Sequence, residues 1–286
     1  MTAPTSYDSI IAALGAGAGQ DVLFSKVAPA AQVAGVFHTS WAYTGIPTAG
    51  AWAGAGGSTA ATMVTCDSTT VGAISIVSPT TASATNPYIT GVEAMPTTSV
   101  LGTLMLVDRI ADTGALTTAS GGTCTITMPG GGWARYTDGI GVMAFVESLT
   151  GVPTASAVVA LNYTNPAATA GRIASGATIA AAAHRAFGSS GPYLALQGAD
   201  NGIKSIESIS LTTAAALNIA VVVCKPLVAI PCVTAMYVTG RDLVIQTPKL
   251  PKLNVATDKT ACLQWIFLAN AATTPTLIGS VTTVTM

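Results

Sequence analysis

Between Val100 and Leu116 the chain reads Val-Leu-Gly-Thr-Leu-Met-Leu-Val-Asp-Arg-Ile-Ala-Asp-Thr-Gly-Ala-Leu. In an extended conformation Leu101, Met105 and Val107 share one face and Leu104, Leu106 and Ile110 the other, so neither face is polar. A strand of this kind needs cover on both sides and belongs in the middle of a packed β-structure. Asp108 and Arg109 close the apolar run, and Asp112-Thr-Gly114 supplies a turn. The expectation is that Asp108 and Arg109, on opposite faces, anchor that turn as an architectural ion pair and not as a catalytic couple. Asp108→Ala would then cost on the order of 1 kcal/mol.

The rest of the chain must supply that cover with very few charges. Of 286 residues only 8% are charged, against roughly 25% in an ordinary domain, while 50% are hydrophobic and the net charge is −1. A surface of Ala, Thr, Ser and Gly with so little mutual repulsion suits a protein that lives in an assembly. Arg241, Lys249, Lys252 and Lys259 come nearest to a basic cluster, and Asp242 and Asp258 dilute it, which argues against nucleic acid as the main partner. The most apolar window, Ala214 to Pro231, is broken by Asn218, Lys225, Pro226 and Pro231, and the N-terminus lacks the positive region of a signal peptide. The expectation is therefore no membrane partner and synthesis in the cytoplasm. The five cysteines, Cys66, Cys124, Cys224, Cys232 and Cys262, include no Cys-x-x-Cys and read as buried free thiols.

The pattern divides into three stretches. Residues 1–61 read as an N-terminal arm. It carries a short helix over Ser6–Leu14, a second helix from Pro29 to Gly45 with Val33, Phe37 and Trp41 four apart, and a Gly/Ala-rich linker or ordered loop around Trp52. The stripe of Val33, Phe37 and Trp41 is the expected subunit interface. From residue 62 the period becomes two. Strands are expected near 71–77, 100–108, 123–128, 141–149, 156–164, 193–197, 203–211 and 217–224, with Ala177–Phe187 open between helix and strand-plus-loop. Short connections favour antiparallel neighbours, so 62–226 is expected to form an antiparallel β-sandwich, jelly-roll-like. After Cys224, proline-bounded segments such as Lys225–Pro231 and Pro248–Lys252 are expected to run extended across a surface and not as central strands, and 227–286 forms the third stretch. Strands over Leu263–Phe267 and Ile278–Met286 then complete the sandwich or pair with a neighbour.

No catalytic pattern emerges. Gly15-Ala-Gly-Ala-Gly19 lacks the third glycine of a dinucleotide fingerprint and the Gly-Lys-Ser/Thr of a phosphate loop. Two histidines, His38 and His184, are too few for a metal cluster, and no cofactor is expected. Ser189 or Ser190 with His184 and Asp200 lies within one short region but lacks a nucleophile elbow. The carboxylates Glu93, Asp108, Asp112, Asp138, Glu147, Asp200 and Glu207 each have a plain place at a strand end or turn.

The runs Leu104-Met-Leu-Val-Asp-Arg109, Leu161-Asn-Tyr-Thr-Asn165 with Thr169-Ala-Gly-Arg172, and Leu196-Gln-Gly-Ala-Asp-Asn-Gly-Ile-Lys-Ser-Ile206 resemble segments of virion structural proteins of tailed bacteriophages. The resemblance spans roughly residues 20 to 286. It implies a non-enzymatic, homo-oligomeric component of the virion, a capsid decoration or minor head protein at the capsid surface whose partners are itself and other capsid proteins. The alternative is a tail-associated or receptor-binding protein gripping a glycan through Trp41, Trp52 and Trp133.

Overall fold

The computed structural model describes residues 6–76, 86–98, 101–116, 122–150, 156–174, 176–179, 183–188, 191–212, 219–232, 234–236, 238–244, 250–253 and 261–286. The chain begins with α1 (Tyr7–Gly15) and then runs almost entirely in strands: β1 (Gly19–Val27), β2 (Val36–Thr39), β3 (Thr44–Ile46), β4 (Ala60–Thr62), β5 (Val64–Thr65), β6 (Ile74–Ser75), β7 (Pro87–Pro96), β8 (Leu101–Asp112), β9 (Thr123–Thr127) and β10 (Met143–Ser148). There follow β11 (Ser156–Thr164), β12 (Arg172–Ala174), β13 (Ala177–Ile179), β14 (Arg185–Phe187), β15 (Ser205–Leu211), β16 (Ile219–Pro231), β17 (Thr239–Asp242), β18 (Cys262–Ala269) and β19 (Thr276–Thr285). The expected strand at 193–197 is absent, and Ala177–Phe187 contributes β13 and β14, with no helix among its described residues.

The fold is mainly β and antiparallel, and its centre closes on itself. β8 pairs with β16 along one edge and β18 along the other, and the ring continues through β10, β14 and β2, giving a closed six-stranded barrel. One sheet packs on each side of it: β17-β7-β19-β1-β3, and β12-β11-β15-β9-β4 with β13 beside β11. Closure leaves β8 no free edge, and the two flanking sheets cover it from outside, which is how a strand with no polar face is accommodated. Leu104, Leu106, Trp265 and Phe267 pack outward against Phe24, Val92 and Val281 of the first sheet. Ile110, Val146, Val221 and Val223 pack outward against Leu161, Ile206 and Ile209 of the second.

Strands from all three stretches of the sequence share sheets. β1, from the expected arm, lies between β3 and β19 and pairs with β19 from Gly19↔Val284 to Val27↔Thr276. β16 runs unbroken through residue 226. Its Lys225–Pro231 portion is thus a barrel strand, contrary to the expectation from its prolines. The reason is local: β10 accompanies β16 only as far as Cys224, so Pro226 and Pro231 have a sheet partner on one side only. A register shift between Pro226 and Val228 relieves the first of them. Pro251 and Lys252 lie extended beside β7, where the carbonyl of Pro251 accepts from Ile89 N.

The first helix forms where expected. Ser6 caps it, its Oγ accepting from Ser9 N at 3.2 Å, and of the apolar stripe Ile10 alone is buried. The second helix does not form. Val33, Phe37 and Trp41 are four apart, a spacing that serves alternation in a strand as well as a helical face, and the β-rich run Val36-Phe-His-Thr39 becomes β2. Val33 is exposed ahead of that strand, Phe37 points into the barrel, and Trp41 is fully buried beyond it. The three therefore share no stripe, and Trp41 belongs to the chain's own core.

Candidate functional site

Cross-strand register places one residue set inside the barrel. Arg109 stands opposite Cys224, Cys224 opposite Met143, Val222 opposite Phe145, and Ile266 opposite both Met105 and Thr39. Val107, Phe145, Ala186, Val222, Cys224 and Ile266 form the apolar part of this interior, with Phe37, Met105, Met143 and Tyr193 packed on it. Arg109, Asp112, Glu147, Thr39 and Gln264 fill the other end. Residues three apart on a strand normally face opposite ways, but the register slips between Val223 and Cys224 as β8 passes Ile110. That bulge returns Asp112 to the face of Arg109.

The polar end is a closed set of hydrogen bonds. Arg109 Nη2 donates to Asp112 Oδ2 at 3.0 Å, and Nη1 donates to Glu147 Oε2 at 2.9 Å and Gln264 Oε1 at 3.0 Å. Its guanidinium lies 4.3 Å from the centre of the Trp41 ring. Glu147 also accepts from Thr39 Oγ1 at 2.8 Å and from Trp52 Nε1 at 3.0 Å. Asp112 accepts from the amides of Ala53, Gly54 and Gly114 at 3.1, 2.8 and 3.0 Å, tying the 51–57 loop over the barrel end. On the outer side of β8, Asp108 takes a two-point contact from Arg135 at 3.0 and 2.7 Å and a third bond from Cys262 N at 2.9 Å.

Arg109, Asp112, Glu147, Gln264, Thr39, Asp108 and Arg135 are completely or almost completely buried, whereas Trp52 is only partly so. Burial alone would raise the Asp112 carboxyl, yet Arg109 and the amides of Gly54 and Ala53 hold it below the usual carboxylate range. Burial would likewise lower Arg109, but Glu147 and Asp112 hold it firmly charged. The arrangement serves to lock β8, β10, β18, β2 and the 51–57 loop together.

Asp108 and Arg109 are therefore not a pair and do not sit at a turn. They lie within β8, which runs on to Asp112, and each has its own partners inside the protein. Of the seven candidate carboxylates, Asp108, Asp112 and Glu147 converge here. Glu93 is exposed on β7, Asp138 accepts from Ile140 N, Glu207 accepts from Thr164 and Ser205, and Asp200 is bound by Arg172, Tyr163 and Asn165. His184 and Asp200 are not brought together in that arrangement: His184 packs edge-on against Tyr43, and Ser189 and Ser190 lie outside the described residues.

The chain matches no family model, no curated protein and no solved structure.

Arg135 and Glu147 had no place in the sequence reading as partners of β8. A signal was present: Glu147 interrupts the apolar run Met143-Ala-Phe-Val, and in so charge-poor a chain a charge inside an apolar strand is the one to suspect of burial. All five cysteines are buried and free, as expected. Among the described residues no group of three or more His, Cys, Asp or Glu could hold a metal, and no helix is long and apolar enough to cross a membrane.

The exposed side chains make a second site. On the sheet containing β1, the outward positions include Leu23 (71% exposed), Val27 (40%), Ile46 (68%) and Ile278 (39%). Register makes them neighbours, since Ser25 stands opposite both Ile278 and Ile46, with Leu23 and Val27 two residues to either side of it. Tyr7, Ile11 and Leu14 of α1 are exposed as well, and Leu14 reaches Gly19 at the start of β1.

Proposed function

We infer that this protein is a non-enzymatic structural component of an assembly, acting through subunit–subunit contacts. The observation that carries the reading is the apolar outer face of the β1 sheet. Single exposed apolar residues are ordinary, but four neighbours on one rigid sheet form a patch of the kind that contacts cover. The charge distribution adds to it: six of the 11 basic and 12 acidic residues, Lys26, Asp108, Arg109, Asp112, Arg135 and Glu147, are spent in the interior. What remains outside offers little repulsion between copies, so a second copy of the chain is the occupant the surface favours. Together with the resemblance carried by Leu104–Arg109, Leu161–Asn165 and Leu196–Ile206, this supports a tailed-phage virion component, a capsid decoration or minor head protein at the capsid surface, with other capsid proteins as further partners.

Sedimentation over a range of concentrations tests the reading. The wild-type chain should associate, and Leu23→Asp with Ile46→Asp should return it to monomer with the melting temperature nearly unchanged, because both side chains already face solvent. A wild type that stays monomeric at high concentration would count against it.

A further inference from the structure

Above the polar end of the barrel is an open groove of about 620 Å³, lined by Trp52, Leu149, Thr150, Ala115 and the backbone at Gly54 and Gly56, among others. We propose that this groove binds the ring of a neutral pyranose sugar stacked on Trp52. The inference goes beyond the assembly reading and is independent of it, since the apolar patch lies on a different sheet.

Three features of the groove carry the proposal. The first is a fixed aromatic platform. Trp52 donates its indole N–H downward to Glu147 Oε2 at 3.0 Å, and Glu147 is itself held by Arg109 and Thr39. The N–H edge is thus committed to the interior, and the ring's carbon surface is left to line the groove. A platform held in advance costs little ordering on binding.

The second feature is the wall. Gly54 and Gly56 press against the backbone of Asp112–Ala115 so closely that a Cβ at either would strike it. The wall next to Trp52 is consequently peptide backbone; the Gly54 N–H is already given to Asp112, and it is the carbonyl oxygens, each with two lone pairs, that suit sugar hydroxyls. A wholly apolar ligand fits less well, because among the described residues Leu149 is the only large apolar side chain besides Trp52 that lines the groove.

The third feature is charge. Among the described residues no ionisable side chain lines the groove. Beneath it, the two carboxylates of Asp112 and Glu147 outnumber the single guanidinium of Arg109, so an acidic sugar is disfavoured.

The experiment is a titration of the full chain with methyl glycosides of glucose, galactose and N-acetylglucosamine, with glucuronic acid and with an apolar probe such as cyclohexanol. It is followed by tryptophan fluorescence and by the Trp52 indole N–H resonance. At least one neutral glycoside should give a saturable change, glucuronic acid a weaker one and cyclohexanol none. Trp52→Ala should weaken binding at least about tenfold, whereas Trp52→Phe, which keeps an aromatic face, should retain most of it. Leu23→Asp with Ile46→Asp should bind as the wild type does, which separates this proposal from the assembly reading. The proposal is overturned if no neutral glycoside perturbs Trp52, if cyclohexanol binds as well as the sugars, or if a folded Trp52→Ala variant binds unchanged.

Discussion

Arg109 is the residue on which the interior turns, because it neutralises Asp112 and Glu147 at once while stacked on Trp41. Arg109→Leu would leave two carboxylates in the barrel without their cation, and the expected cost is about 3–5 kcal/mol, measured by urea unfolding. The same reasoning raises the expectation for Asp108→Ala above the ~1 kcal/mol suited to a turn anchor, since the Arg135 guanidinium would lose its buried partner. His38 makes a pH-dependent contribution. Its Nε2 accepts from Val33 N at 3.0 Å, which places the proton on Nδ1, 3.1 Å from the His184 carbonyl. Burial lowers its pKa to about 4, with the nearby Arg185 and His184 adding to the effect and hydrogen bonds to Val33 and His184 opposing it. As pH falls below ~6.5 the unfolded chain takes up the proton first. The stability present above that pH is therefore lost progressively toward pH 4, by at most about 3 kcal/mol. Urea melts across this window should show that slope, and His38→Gln should reduce it, leaving the smaller part that the likewise buried and lowered His184 contributes. None of this could be read from residue type: His38 sits beside Phe37 in either a helix or a strand, and only the fold shows what its nitrogens meet.

At the scale of elements, β8 was legible because its two apolar faces state their own requirement for cover, and β9, β10, β11, β15, β18 and β19 fall close to their expected places because alternation marks them. What sequence reasoning missed has a common physical cause. The four-residue spacing of Val33, Phe37 and Trp41 fits both periods, and the prolines of β16 argue against a strand only where partners flank both sides. The Gly/Ala-rich stretch around Trp52 has no period at all, yet it is an ordered cap whose glycines allow backbone to touch backbone. Gly56→Ala should therefore lower stability by about 1–3 kcal/mol, because its Cβ would strike the Ala115 carbonyl. Gly130→Ala, with open space around it, should cost much less. Thermal melts of the two variants make the comparison, and equal melting temperatures would show that the loop gives way.

For the whole molecule, the division of labour is spatial. Buried ion pairs and hydrogen bonds hold a closed barrel between two sheets, while the outer face of the β1 sheet keeps its apolar side chains in water. The sequence composition pointed to an assembly, but which face serves it depends on the pairing of β1 with β3 and β19, strands far apart in the chain. The most direct measurement is hydrogen–deuterium exchange of the protein in dilute and in concentrated, associated form. Association through this face predicts added protection in residues 19–27, 44–46 and 276–285, with the slowly exchanging barrel strands β8 and β10 unchanged. Protection appearing elsewhere, with those three segments unaltered, would contradict the account.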